Sequence, residues 1–365
     1  MDTSTDSKEN FVSFVLFILI VFIVIILIIY IIYLTRLNNR ECDFMTHLYG
    51  KLNNQLTSIN KSDPDCSGNL YDYYIKTAYN CCSGGSYRND YVNLCNLKNV
   101  LKQGVRCLDF QIFSIDNQPV VSSSTSSDVY IKETFNYVQF YDAMKVVRDY
   151  AFSSSTAPNY LDPIIIHLRF QSNHQPMYSN LVTIFKTFES YMLGSEYSYE
   201  NKNLNLGKIP LTTFMGKIIL IVDRTNTSFM ENTNLLEYVN LTSNSIFMRA
   251  YTYYNVKNNP DINELTNYNR TNMTIVFPDN EPNPPNPSGY FTRDCGSQMT
   301  AMRYQYVDNF LEENTAFFNK AGYAFCLKPE KLRYVPVTIP KPVPQTAQNS
   351  YQTRNVGTDY YNFNF

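Results

Sequence analysis

The sequence contains no tryptophan and only three histidines, His47, His167 and His174, in 365 residues, and its eight cysteines form no CxxC pair. Zinc sites of the familiar kind need Cys and His clustered at short spacings, so a zinc finger or ribbon is excluded. Charge is also sparse. Charged residues make up 17% of the chain, and Lys+Arg 30 against Asp+Glu 32 leave a net charge of -2. A chain with no basic surplus lacks the field that draws a protein onto nucleic acid, so nucleic acid is not an expected partner.

What is abundant is Tyr (31) and Phe (24), with many Asn and Ser residues, a skew that follows nucleotide bias in an AT-rich genome as readily as function. The length alone admits one large domain or two ordinary ones. From Phe11 to Leu34 the chain is apolar except for Ser13, Tyr30 and Tyr33. As a helix this run rises roughly 36 Å at about 1.5 Å per residue, enough to cross a hydrocarbon core of about 30 Å with some tilt. Its length, the leading Asp2, Asp6 and Glu9, and the lack of a small-x-small cleavage site favour a retained anchor over a cleaved signal peptide.

Arg36 and Arg40 follow the span while the leading segment is net acidic, which by the positive-inside rule places the large domain on the cytoplasmic side. The sequons at Asn226, Asn240, Asn269 and Asn272 point the other way, but a chain this rich in Asn, Ser and Thr contains several by chance. Cys66, Cys81, Cys82 and Cys95 lie close enough for a local disulfide framework, with small buried thiols as the equal alternative. Cys107 and Cys326 sit in apolar strand-like runs and read as buried thiols.

Phe44, Leu48, Leu52, Leu56 and Ile59 recur at helical spacing and predict a juxtamembrane helix that lies on the bilayer or, as is commoner, on the following domain. It is closed by the breaker cluster Ser62 to Gly68. Strand-like runs then follow at Tyr73 to Asn80, Arg106 to Phe113, Pro119 to Ser122, Pro163 to Phe170, Lys217 to Val222, Ile246 to Tyr253, Gln298 to Tyr304 and Gly322 to Leu327. That number of strands, alternating with longer segments, suits one (β/α)8 barrel, although periodicity alone also permits a doubly wound sheet. Pro278 to Gly289 reads as a long surface loop. Beyond Tyr334 the prolines and the polar Asn/Tyr run predict an extended tail. The expected divisions are an N-terminal tail (1–10), a transmembrane helix (11–34), a leader (35–69), a barrel (70–337) and a tail (338–365).

Gly104-Val-Arg-Cys-Leu-Asp-Phe-Gln-Ile-Phe113 with Pro119-Val-Val121 resembles the second and third strands of the X region of phosphoinositide-specific phospholipase C. Tyr74-Ile-Lys-Thr-Ala-Tyr-Asn80 and Pro163-Ile-Ile-Ile-His-Leu-Arg169 resemble its first and fourth strands. Cys295-Gly-Ser-Gln-Met-Thr-Ala-Met-Arg-Tyr-Gln305 and the "LKPxxLR" run ending at Arg333 are similar to the Y region. These matches stand in family order from about residue 74 to 333, and the resemblance therefore implies an α/β fold, a TIM barrel of the phospholipase C-like phosphodiesterase type, here preceded by one transmembrane helix. Versions of this barrel also occur in proteins of large DNA viruses, a source, with its virion membrane, that the single anchor and the composition would suit.

The family uses one histidine as general base, a second as general acid, and calcium held by Asn, Glu, Asp and Glu. Histidine suits the proton transfers because its pKa lies near neutrality. Here the resemblance puts Tyr79, or Ala78 one register away, at the first histidine and Ser123 at or near the second. Of the metal set, Asn80 is retained, Asp109 stands in for a Glu, Gln111 for an Asp and Arg169 for a Glu. Calcium wants six to eight oxygens, several from carboxylates. One carboxylate beside a fixed positive charge is a poor offer, so no cofactor is expected. Ile221 and Asp223 stand near the places of the phosphate-binding lysines, and Lys217 belongs to the start of a strand.

Two readings follow. One is a catalytically degenerate barrel, a pseudoenzyme retained as a binding or structural module at a lipid bilayer, its ligand an inositol phospholipid headgroup or a protein partner, with Asn80, Asp109, Gln111, His167 and Arg169 lining its site. The other is an active, calcium-independent lipid phosphodiesterase built on His167 and Arg169. The i, i+2 spacing of those two puts both side chains on the strand face that points into the barrel. The resemblance also predicts that Arg169 takes the place of calcium, paired with Asp109 and bridged to Asn80 and the Gln111 amide oxygen.

Overall fold

The computed structural model describes residues 3–126, 128–198, 204–335, Pro342, Pro344 and 355–364. It divides into two units, Met1–Tyr334 and Val335–Phe365.

The first unit opens with one continuous helix, α1 (Thr3–Tyr49), of 47 residues. From Phe11 to Tyr33 the large apolar side chains of α1 are exposed, as a bilayer-facing helix requires. By length and composition this is a helix able to cross a membrane, a property that a signal sequence near the N-terminus would share. After the apolar run the helix does not stop and restart. Leu37, Glu41 and Met45, one turn apart, turn inward and are buried against the following domain. Cys42 is disulfide-bonded to Cys95 on α2 (Leu94–Lys102). Asn93 donates to Asn38 Oδ1 at 2.9 Å and Asn99 to Thr46 Oγ1 at 3.0 Å, so the helix end is also pinned by hydrogen bonds.

This corrects the predicted juxtamembrane helix. Phe44, Leu48 and Leu52 are 40 to 45% exposed, while Leu56 and Ile59 are buried from irregular chain beyond Tyr49. Covalent continuity with the membrane helix sets the phase of the last turns, and the phase that reaches the barrel is that of Leu37, Glu41 and Met45. The expected local disulfide framework is corrected as well. Cys66, Cys81 and Cys82 are buried free thiols, as is Cys107, and Cys326 is a half-buried one.

Eight parallel strands form the barrel: β1 (Tyr73–Ala78), β2 (Cys107–Ile115), β5 (Ile164–Phe170), β6 (Ile218–Asp223), β7 (Leu241–Ser243), β8 (Met248–Thr252), β9 (Met273–Phe277) and β10 (Met299–Met302). They pair in chain order, and β10 returns to pair with β1. β7 and β8 touch without ladder pairing among the described residues, so the ring is nearly closed. Three strands lie outside it. β3 (Gln118–Ser122) folds back antiparallel on β2, β4 (Val138–Gln139) pairs with β3, and β11 (Phe325–Leu327) runs antiparallel along β1. Two of the expected strand runs thus belong to these flanking hairpins, and the barrel takes β7 and β9 instead.

The strands owe their form to burial on both faces, which selects continuous β-branched and aliphatic runs such as Ile218-Ile-Leu-Ile-Val222. Alternation then sorts the side chains. Ile164, Ile166 and Leu168 of β5 join the layer between barrel and helices, with Leu108, Phe110 and Leu220. Ile165 of β5 joins the interior with Cys107, Ile219 and Ile221. His167 and Arg169 continue that inward row.

Pro278 to Gly289 is not a free surface loop, since Pro284, Asn286 and Pro287 are buried. Asn286 Nδ2 donates to the Tyr306 carbonyl at 2.8 Å, and the fully buried Arg303 donates to the Pro284 carbonyl. In the second unit Asn355–Gly357 pairs antiparallel with Asn362–Asn364. Most of the expected extended tail lies outside the described residues.

Candidate functional site

At the C-terminal ends of the barrel strands lies a cavity of about 430 Å³. This is the face where (β/α)8 barrels carry their sites, because strand ends and the loops after them converge there. β2 and β5 run parallel in a register that places Asp109 beside His167 and Gln111 beside Arg169. Both pairs point inward.

Arg169 closes the cavity floor. Its Nε donates to Asp109 Oδ1 at 3.0 Å and its Nη2 to Asp109 Oδ2 at 2.6 Å, a bidentate pair. Nη2 also reaches Asn80 Oδ1 at 2.7 Å, and Nη1 lies 3.4 Å from the Tyr79 hydroxyl. Asn80 holds a left-handed backbone (φ 41°) at the end of β1, a conformation Asn tolerates better than most residues. The guanidinium carbon stands 4.7 Å from the Tyr79 ring centre and 5.2 Å from that of Phe277, so two aromatic faces flank the cation.

Burial alone would push the Asp109 carboxyl up. The Arg169 charge and the His167 hydrogen bond outweigh it and hold that carboxyl below the usual carboxylate range. Burial likewise opposes the charge on Arg169, yet Asp109, with Tyr79 and Asp223, raises its pKa above the ordinary value. The pair is therefore ionised on both sides. Arg169 occupies the centre expected of it and bridges Asp109 to Asn80. The expected third partner is not there: the Gln111 amide oxygen accepts from the Ser124 N–H at 2.8 Å, and its Nε2 donates to the Ser124 carbonyl at 3.0 Å.

His167 is fully buried, with Nδ1 2.8 Å from Asp109 Oδ1 and Nε2 3.0 Å from Ser243 Oγ on β7. Asp109, His167 and Ser243 thus have the spacing of an acid–base–nucleophile relay. Two observations describe how that relay is held. The Ser243 hydroxyl donates onward to Asp223 Oδ2 at 3.0 Å, and Ser243 is as inaccessible as His167. The hydrogen-bonded chain Asp109, His167, Ser243, Asp223 is a buried tie between β2, β5, β6 and β7.

The remaining candidates sit apart from the mouth or have no free proton-transfer group. Ser123 is buried and hydrogen-bonded to Ser83 at 2.7 Å. Tyr79 lines the cavity, but burial raises its phenol pKa, and Arg169 only partly offsets that. Asp223, Asn244, Tyr251 and Phe277 also line it, with Gln171 and Asn280 among its amides. Asp223 was recoverable from the sequence as a carboxylate ending an apolar strand run. Ser243 and Asn244 were not, because β7 is three residues long and leaves no periodic signal.

The donors that the family resemblance assigns to calcium do not fit a cation. Both Asp109 oxygens and the Asn80 oxygen are turned onto the guanidinium, the Gln111 oxygen onto a backbone N–H, and Arg169 itself supplies the positive charge. No metal-dependent step can be derived from them.

Residues 66–224 match the family model described as phosphatidylinositol-specific phospholipase C, X domain. Over those residues the chain is similar to that domain. Among solved structures, PLC21 of L. pealei is 17% identical, with a TM-score of 0.58 over 74% of this chain and 38% of that one. PLC21 of S. officinalis is 16% identical, with a TM-score of 0.55 over the same shares. These likenesses show the fold that frames the X domain, and the chain spans well under half the length of either relative. No curated protein sequence matches the chain.

Proposed function

We propose that this chain is a membrane-anchored, catalytically degenerate X-domain barrel whose mouth binds and does not cut. One observation carries the reading: the buried carboxylate and imidazole at the barrel centre, Asp109 and His167, are already used internally. Asp109 accepts from Arg169 and His167, both His167 nitrogens are engaged, and His167 has no accessible surface. General acid–base catalysis needs a group within hydrogen-bond reach of the substrate, and the burial of His167 counts against the alternative enzyme built on His167 and Arg169.

The lining further supports an uncharged, hydroxyl-rich ligand. It presents amides and hydroxyls beside the Tyr251 and Phe277 rings, its one cation is matched by Asp109, and the Asp223 carboxylate is an acceptor for ligand hydroxyls. An inositol ring of a phospholipid headgroup fits this chemistry, with the phosphodiester held at the rim. The anchor would keep the barrel at a bilayer surface.

The test is titration of the detergent-solubilised full chain with glycerophosphoinositol and, separately, with inorganic phosphate, each with and without calcium. Saturable binding of the headgroup, indifferent to calcium and weakened by Asn244→Leu, is the expected result. Binding that requires calcium, or that phosphate alone reproduces, would refute it.

A further inference from the structure

The side of the membrane on which the barrel lies can be argued from covalent chemistry. The Cys42–Cys95 disulfide joins the membrane helix to the barrel across 53 residues of sequence. Disulfides of this structural kind form and persist in oxidising compartments. The other cysteines are arranged compatibly. Cys66, Cys81, Cys82, Cys107 and Cys295 are buried, so these sulfurs are kept from competing for the bond. Against this stands only a small charge bias, Arg36 and Arg40 after the span against Lys8 before it, and large domains translocate largely regardless of such a bias.

A chain on that side meets the machinery that modifies Asn-X-Ser/Thr sequons. Four of its sequons are closed by the fold. Asn240 and Asn269 are buried, with Nδ2 donating to the Tyr197 and Cys295 carbonyls. Asn226 Nδ2 is held by the Phe170 and Ser172 carbonyls, and Asn272 Nδ2 by Thr271 Oγ1 at 3.1 Å. A fifth, Asn60-Lys-Ser62, differs from all of them. Its three residues are exposed on irregular chain. Asn60 Oδ1 accepts from the Ser62 N–H at 3.0 Å in a tight local turn, and among the described residues Nδ2 has no partner. The position is also well separated from the span along the chain: from Leu34 the helix continues 15 residues to Tyr49, about 22 Å at 1.5 Å per residue, and Asn60 follows eleven residues later.

We infer that the barrel lies on the non-cytoplasmic side of its membrane and that Asn60 carries an N-linked glycan. The donor is a polyprenyl-diphosphate-linked oligosaccharide. The Asn60 Nδ2 forms a bond to the sugar C1 and loses one proton, the C1–O bond to the diphosphate breaks, and the lipid diphosphate leaves with the bonding pair.

The test is expression of the full chain in a eukaryotic secretory cell, followed by amidase deglycosylation, glycopeptide mass analysis and thiol labelling before and after reduction. One glycan at Asn60 is expected, removed by the amidase and abolished by both Asn60→Gln and Ser62→Ala, with Cys42 and Cys95 labelled only after reduction. Neither substitution touches a buried group, so loss of the glycan without loss of protein is readable. A membrane-inserted chain with no glycan, a glycan confined to any other sequon, or Cys42 and Cys95 labelled without reduction would each overturn the assignment.

Discussion

Replacing Arg169 by methionine keeps most of the side-chain volume and deletes the cation, which leaves Asp109 charged, fully buried and short of two hydrogen bonds of 3.0 and 2.6 Å. Breaking a buried ion pair by removing one partner costs about 3 to 5 kcal/mol. The low end applies here, because Asp109 keeps its bond from His167 and the Arg169 side chain is 15% exposed. At roughly 2 to 4 °C per kcal/mol for a domain of this size, a loss near 3 kcal/mol lowers the melting temperature by about 6 to 12 °C. Adding Asp109→Asn removes the stranded charge, so the double variant should recover much of that loss. Thermal unfolding of the solubilised chain, run as a four-member cycle, reads the coupling directly. An Arg169→Met variant that melts with wild type, or a double variant that melts below the single, would refute the claim that this pair neutralises the barrel centre.

Two further outcomes follow from the join between the membrane helix and the barrel. Cys42→Ser with Cys95→Ser should lower stability by about 4 kcal/mol on the chain-entropy model for a loop of this length, read by denaturant unfolding under non-reducing conditions. Glu41, buried at that join, has its pKa raised from 4.5 to about 10, first by burial and then by its hydrogen bond to Asp90 and that residue's charge. A carboxyl raised in the folded state contributes stability that is full below about 4.5 and lost as pH rises toward 10, so the join should weaken on the alkaline side. Glu41→Gln should flatten that dependence in pH-resolved melting, and an unchanged slope would remove Glu41 from the account.

How far the sequence reveals this molecule depends on which interactions are local. β5 and β6 are legible because strands buried on both faces must be continuous apolar runs, and the inward row of Ile165, His167 and Arg169 follows from the period of two. β7 is illegible at three residues, and β9, though apolar, was obscured by the Pro-rich run that follows it. The meeting of Asp109 with Arg169 was accessible through the family resemblance, since both belong to adjacent strands. The meeting of His167 with Ser243 and Asp223 depends on barrel closure, which no local pattern encodes. Sequence proximity pointed among the cysteines to Cys66, Cys81 and Cys82 as partners of Cys95. The true partner, Cys42, is 53 residues away on a helix whose phase is set by the membrane span.

The central claim is that the barrel binds without cutting, and release of inositol phosphate tests it most directly. The solubilised full chain, incubated with vesicles of phosphatidylinositol or its bisphosphate, with and without calcium, should release none above a protein-free blank. Turnover that disappears with His167→Ala would contradict the account and establish the buried relay as a working site.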